Sequence, residues 1–280
     1  MSARPGASAA ANSLAGLTTR LTERDFALID TLARFGAMTT AQLTAVFFPS
    51  ATIARIRLLA LADFGVLART YQPDSRMLRH TLDWAGQAVH ALRTGAKPPT
   101  AANAAWEVQR RFLSPRRAHN EGAIDAIAAI HLACRQHGSA RITEWLSETE
   151  ASYEFTGLRP DAAFTLATDD GRSLMAWYEH DTGTETLERL EAKITAYLQR
   201  RSPLLPYHRR VLIGCASAAR VRALTDRVSD TGPLTVAAVV HGGLPSLTGA
   251  FPDTTDLLTA PRWHRLAGTG SPCSLLDLTH

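Results

Sequence analysis

Two sets of side chains in this 280-residue sequence have the types and spacing for chemistry. The first is arginine-rich: Arg55 and Arg57 in a segment dominated by Ala, Leu and Ile, and Arg69, Arg76 and Arg79 on the arms of a predicted hairpin. Guanidinium forks bond phosphates and guanine edges bidentately, so this set points to a nucleic acid, with Arg55 the better placed to face outward. The second is acidic: Asp161 in "RPD", Glu179 and Asp181 in "EHDTGTE", and Glu121 further upstream. If Asp161, Glu179 and Asp181 converge without a cation, their mutual repulsion raises at least one carboxyl pKa and favours a divalent ion. Cations to offset them are few in kind, because of 30 basic residues only Lys97 and Lys193 are lysines.

Other chemistries find less support. His119, His131 and His137 lie on or beside one helix but lack the i, i+4 spacing that puts two metal ligands on one face, so they read as surface or interface histidines. No G-x-S-x-G elbow and no G-x-x-x-x-G-K-[ST] loop occurs, which argues against a hydrolase triad and an ATP-driven motor. Cys134, Cys215 and Cys273 are odd in number and dispersed, as in a protein of the reducing cytoplasm. Apolar runs such as "LTVAAVV" fall far short of the roughly 18 to 20 residues of a membrane span. Trp106, Trp145, Trp177 and Trp263 read as core and interface anchors.

Charge is distributed unevenly. Residues 1–118 carry 15 Lys+Arg against 7 Asp+Glu, whereas the remainder carries 15 against 19. A polyanion-binding surface therefore belongs to the first part.

The elements that must position these residues follow from periodicity. Residues 1–19 are small and polar and read as a disordered leader. In 20–96, Thr22 caps a helix with Leu28, Leu32 and Phe35 on its buried stripe. Thr40 starts a short second helix with Leu43, Val46 and Phe47 apolar, ended by Pro49. Ser50 or Thr52 starts a third, with Ile53, Ile56, Leu59 and Ala60 as core candidates. A hairpin turning at Gln72-Pro73-Asp74-Ser75 and a helix from about Trp84 to Arg93 complete a winged helix-turn-helix. Residues 97–118, beginning "KPPTAANAA", read as a linker.

Residues 119–241 alternate as α-β-β-β-α-β-α-β, a small mixed-sheet α/β domain, and 242–280 read as an irregular tail. On the helix over about 185–200, Lys193 sits at the edge of the stripe Leu187, Leu190, Ile194 and Tyr197. Its amine either points to solvent or snorkels toward the sheet.

With these motifs in place, the chain resembles the replication-relaxation family of plasmid-borne and mobile-element proteins. The resemblance rests on "LTERDFALIDTL", "TTAQL", "FFPS", Arg159-Pro160-Asp161 and the run from Glu179 to Glu185, and covers most of residues 20–240. It implies a DNA-binding protein of replication or relaxation. Its implied partner is double-stranded DNA, joined by other replication or conjugation proteins or a second copy of the chain, with no membrane.

The second domain also resembles the PD-(D/E)xK nuclease fold, whose two acids on adjacent strands hold Mg²⁺ and whose lysine, two residues on, activates water. The resemblance assigns Asp161 and Glu179 to the acids, with Glu121 as a third carboxylate. Asp181 stands at the lysine position, and a migrated Lys193 is the substitute cation. The reading is a cytoplasmic DNA-binding protein with a degenerate nuclease-like domain. Its alternatives are an active Mg²⁺-dependent endonuclease or nickase and a winged-helix transcriptional regulator.

Overall fold

The structure is a computed structural model that describes residues 14, 16–72, 75–153, 155, 157–199, 209–232, 234–241, 253–268 and 271–280. The chain forms two compact units, the first ending at Arg117 and the second starting at Ala118. Helices and two separate sheets make the fold α+β.

Local caps punctuate the first unit. Helix α1 (Glu23–Phe35) starts at a capping box in which the Thr22 hydroxyl and the Thr22 N–H both donate to Asp25 at 2.7 Å. It buries Leu28, Ile29 and Leu32, with Phe35 only half-buried. Strand β1 (Met38–Thr39) leads into α2 (Thr40–Phe47), whose capping box is Thr39 with Gln42, one residue before the expected Thr40. Phe48, rather than Phe47, is fully buried.

Ser50 caps α3 (Ala51–Asp63), and β2 (Leu67–Gln72), β3 (Ser75–Leu82) and α4 (Trp84–Arg93) follow. The three strands pair antiparallel in the order β1-β3-β2. Of the expected hairpin turn, Pro73 and Asp74 lie outside the described residues, as do residues 1–13 and 15 of the expected leader. Leu17, also assigned to that leader, is buried.

Three expectations for the first unit are corrected. The buried face of α3 is Ala51, Ala54, Leu58 and Leu61, so Ile53, Ile56 and Leu59 point outward. That helix is apolar nearly all round, and periodicity cannot choose a face when both faces qualify. The expected linker contains a helix, α5 (Ala101–Phe112), capped by Thr100. Its Arg111 guanidinium donates to the carbonyls of Leu32 and Ala33 at the end of α1. Trp106 of α5 is 63% exposed and so no part of the core, whereas Trp145, Trp177 and Trp263 are buried.

The second unit is a six-stranded sheet with helices on both faces. Helix α6 (Arg117–His137) precedes β4 (Ala140–Ser147), a short α7 (Glu148–Ser152), β5 (Ala162–Thr168) and β6 (Ser173–Asp181). Then come α8 (Leu187–Gln199), β7 (Arg209–Cys215), α9 (Ala218–Arg227) and β8 (Val236–Val240). Strands β4, β5 and β6 are antiparallel, and β6, β7 and β8 are parallel, with α8 and α9 as crossovers.

The expected irregular tail instead adds α10 (Asp256–Thr259) and an edge strand β9 (His264–Arg265) antiparallel to β8. Leu258, Trp263, Leu266 and Leu275 of the tail are buried. Elements of two to four residues leave no periodic signal, so only the long-range pairing defines them.

Candidate functional site

Strand β6 sorts its residues between the two faces of the sheet, because successive side chains of a strand point to opposite sides. Trp177, Glu179 and Asp181 meet α8 and α9, and His180 meets α6. A Cβ on Gly122 of α6 would lie 2.1 Å from His180 Nε2, so only glycine admits the imidazole at that crossing.

Glu179 is 3% exposed. Its Oε2 accepts a hydrogen bond from Lys193 Nζ, and its Oε1 accepts one from the Tyr197 hydroxyl at 2.5 Å. Tyr197 is fixed by stacking on Trp177, with Phe155 edge-on, at centroid distances of 5.3 and 5.5 Å. Burial pushes the Glu179 carboxyl up to about 8, against the pull of the Lys193 ammonium and with the help of Asp161. Burial disfavours the Lys193 charge in turn, but Glu179 and Asp161 together hold its pKa above the ordinary lysine range.

Asp161 precedes β5. One of its oxygens accepts the His180 backbone N–H at 2.8 Å, and the other lies 2.9 Å from His119 Nε2. Burial works against this carboxylate, yet His119, Lys193 and the His180 N–H hold its pKa below the usual range. The His119 ring meets His180 edge-on at 5.5 Å, and His180 meets His241 edge-on at 4.6 Å. Burial, together with the neighbouring His241 and His119, lowers the His180 pKa to about 4.

Asp181 is claimed separately. Arg220 of α9 grips it with two donors at 2.6 and 3.0 Å, and the Gly183 N–H donates at 3.0 Å. Each carboxylate on this edge of the sheet therefore has its own cationic or imidazole partner. Glu121 is buried on α6 but completes no cage: among the described residues no three His, Cys, Asp or Glu side chains come together as a metal site. The residues that the nuclease resemblance assigns to Mg²⁺ thus do not fit a divalent cation in this geometry. The oxygens of Asp161 and Glu179 are already turned to protein donors.

Sequence reasoning named Asp161, Glu179, Asp181 and Lys193, and the structure draws Lys193 to Glu179 rather than to solvent. It missed Tyr197 and Arg220 as partners and treated His119 as a surface residue. The signal for Tyr197 was present, since Lys193 and Tyr197 are an i, i+4 pair on one face of α8.

The arginines of the first unit divide equally clearly. Arg55 on α3 and Arg69 on β2 are exposed, and neither is engaged in an ion pair among the described residues. Arg57 is not free for a ligand: its guanidinium bonds both oxygens of the fully buried Asp25, at 2.9 and 2.5 Å, and the Arg20 carbonyl at 3.0 Å. Arg79 is 3% exposed and donates to the Met77 carbonyl. Arg76 lies on β3, and its side chain is outside the described residues.

Compared with known families, the sequence matches the family model described as Replication-relaxation over residues 29–202, more than half of the chain and parts of both units. The chain belongs to the replication-relaxation family. The carboxylate-bearing edge from Asp161 to Lys193 and the helix α3 both fall inside the matched region of this family member. Neither the curated proteins nor the solved structures gave a match. No single helix among the described residues is long and apolar enough to cross a membrane.

Proposed function

We propose that this replication-relaxation protein binds duplex DNA through its first unit, in the replication or relaxation of plasmid or other mobile DNA. The observation that carries the reading is a pair of exposed arginines, Arg55 on α3 and Arg69 on the hairpin that directly follows it. The order α1-β1-α2-α3-β2-β3, with β1 closing the small sheet, supports reading this unit as a winged helix whose α3 enters a groove. The positive excess of residues 1–118 supplies the attraction for phosphates. In this reading the second unit keeps the element order of a nuclease without a metal cage among its described residues, and serves structure or assembly.

One observation favours a second reading. Lys193 reaches Glu179 from α8, where a migrated nuclease lysine would stand, so the edge carries two acids and a cation. The experiment that separates the readings has two parts. Duplex binding is titrated at several salt concentrations, and supercoiled plasmid is incubated with the protein and Mg²⁺ or Mn²⁺ beside an Asp161→Ala control. The proposed function predicts salt-sensitive binding without metal-dependent nicking. Nicking that disappears in both Asp161→Ala and Lys193→Ala makes the protein an endonuclease.

A further inference from the structure

The outward face of α3 is unlike that of a helix read only by phosphates. Ile56 is 67% exposed, and Ile53 and Leu59, three residues to either side, are 44% and 47% exposed. They form one apolar strip on the side opposite Ala54, Leu58 and Leu61. Thr52 and Arg55 share the exposed N-terminal half of the same helix. The helix carries no acid in its first turn, and its N-cap Ser50 leaves the positive end of the helix dipole toward that half. Asp63, exposed at the other end, repels phosphate there.

From this geometry we infer that α3 reads thymine methyl groups in the major groove of A/T-rich duplex DNA, with Ile53 and Ile56 touching the methyls and Arg55 holding phosphate or a base edge. The inference rests on the duplex-binding function proposed above and adds its sequence preference. In the major groove a thymine differs from a cytosine by its methyl group as well as by its acceptor, and an aliphatic side chain reads the methyl by burial alone. Recognition helices present their N-terminal residues to the bases, the half of α3 that bears Ile53, Arg55 and Ile56.

Charge decides between DNA and a second copy of this surface. The unit that carries the strip has 15 Lys+Arg against 7 Asp+Glu over residues 1–118, and Arg55 and Arg69 are exposed beside or after it. Two such faces brought together would oppose like charges, whereas a duplex complements them.

The test uses the full chain. A tight-binding duplex is selected from a random-sequence pool and remade with deoxyuridine in place of thymidine, which removes the methyls and leaves every hydrogen-bonding group. The expected loss is about fourfold in affinity for each thymine contacted, the value of one buried methyl. Ile56→Ser is exposed enough to leave the core intact, and should lower the preference for thymidine over deoxyuridine by about fourfold, the share of one methyl contact, with Ile53 keeping the rest and salt-sensitive binding retained. Equal affinity of the wild-type protein for the two duplexes overturns the inference and leaves the duplex-binding function standing. Absence of any duplex binding overturns that function itself. A wild-type dimer that Ile56→Ser converts to a monomer, together with equal affinity for both duplexes, assigns the strip to self-association and overturns the inference.

Discussion

Asp25 in the first unit and Glu179 in the second are both buried carboxylates met by a cation from a neighbouring helix, yet their acidities move in opposite directions. Asp25 sits in the first turn of α1, accepts the Thr22 N–H and hydroxyl, and receives a two-pronged Arg57. Burial raises its pKa, but Arg57 and Thr22 together outweigh that and leave the carboxyl below the usual range. Glu179 has one ammonium and one phenol, no backbone donor at its carboxylate among the described residues, and a second carboxylate nearby in Asp161. A planar fork at a helix N-terminus stabilises a buried anion, whereas a single ammonium does less for a carboxylate that has a second carboxylate nearby. Asp25 is thereby a structural ion, and Glu179 is the group whose proton is contested.

The sharpest way to break this contrast is to delete the two acids in parallel. Asp25 is fully buried and Arg57 is 23% exposed, so Asp25→Ala, which removes the capping box of α1 and leaves Arg57 partly uncompensated, should destabilise the first unit by about 2 kcal/mol. Glu179→Gln keeps the hydrogen-bonding shape of a carboxyl that already favours its proton, and should cost about 1 kcal/mol or less. Urea unfolding followed by hydrogen exchange, read peptide by peptide, assigns each loss to its unit. Equal losses at the two sites would contradict the contrast.

Next in size is the response to pH. A carboxyl whose folded pKa is raised, as Glu179 is to about 8 from 4.5, contributes stability that is full below 4.5 and lost as pH rises through 8. Raising the pH from 7 to 9 should therefore weaken the second unit more than the first, and Glu179→Gln should abolish the difference. On the acid side both units respond with the same sign, the second more strongly because His180 joins His131 there. Burial lowers His80 in the first unit and His131 in the second to about 4 from 6.5. The unfolded chain takes up those protons first, so stability falls between pH 6.5 and 4. Melting curves recorded across both windows check the two signs.

The smallest effect expected is at the exposed strip of α3. Ile56→Ser, on a side chain mostly in water, should change stability by no more than about 0.5 kcal/mol. A larger loss would mean that the strip is covered in the isolated protein.

How much of this was legible in the sequence depended on whether a signal was local. Helix α4 was readable as Trp84 to Arg93, because the Asp83 cap bounds its start. The Thr22 and Asp25 box was equally plain, being a contact between residues three apart. Arg57 misled for the opposite reason: its partner Asp25 is adjacent only in the folded unit, so an arginine on a helix looked available for DNA. The same holds for His119 with Asp161, and for Arg220 with Asp181, which join residues that no spacing rule connects. Lys193 needed more than periodicity, since the reach of its four-carbon stem, rather than the direction of its Cα, takes it to Glu179. Helix α5 was hidden by the two prolines before its Thr100 cap.

Duplex binding through the exposed arginines of the first unit is tested most directly by the salt dependence of affinity in the wild-type protein and in Arg55→Ala and Arg69→Ala. Each arginine that neutralises a phosphate releases its counterion, so each substitution should lower the slope of log K against log salt by about one, whereas Arg79→Lys at the buried position should leave it unchanged. A slope that is flat in the wild type, or identical in all four proteins, would contradict DNA binding by this surface.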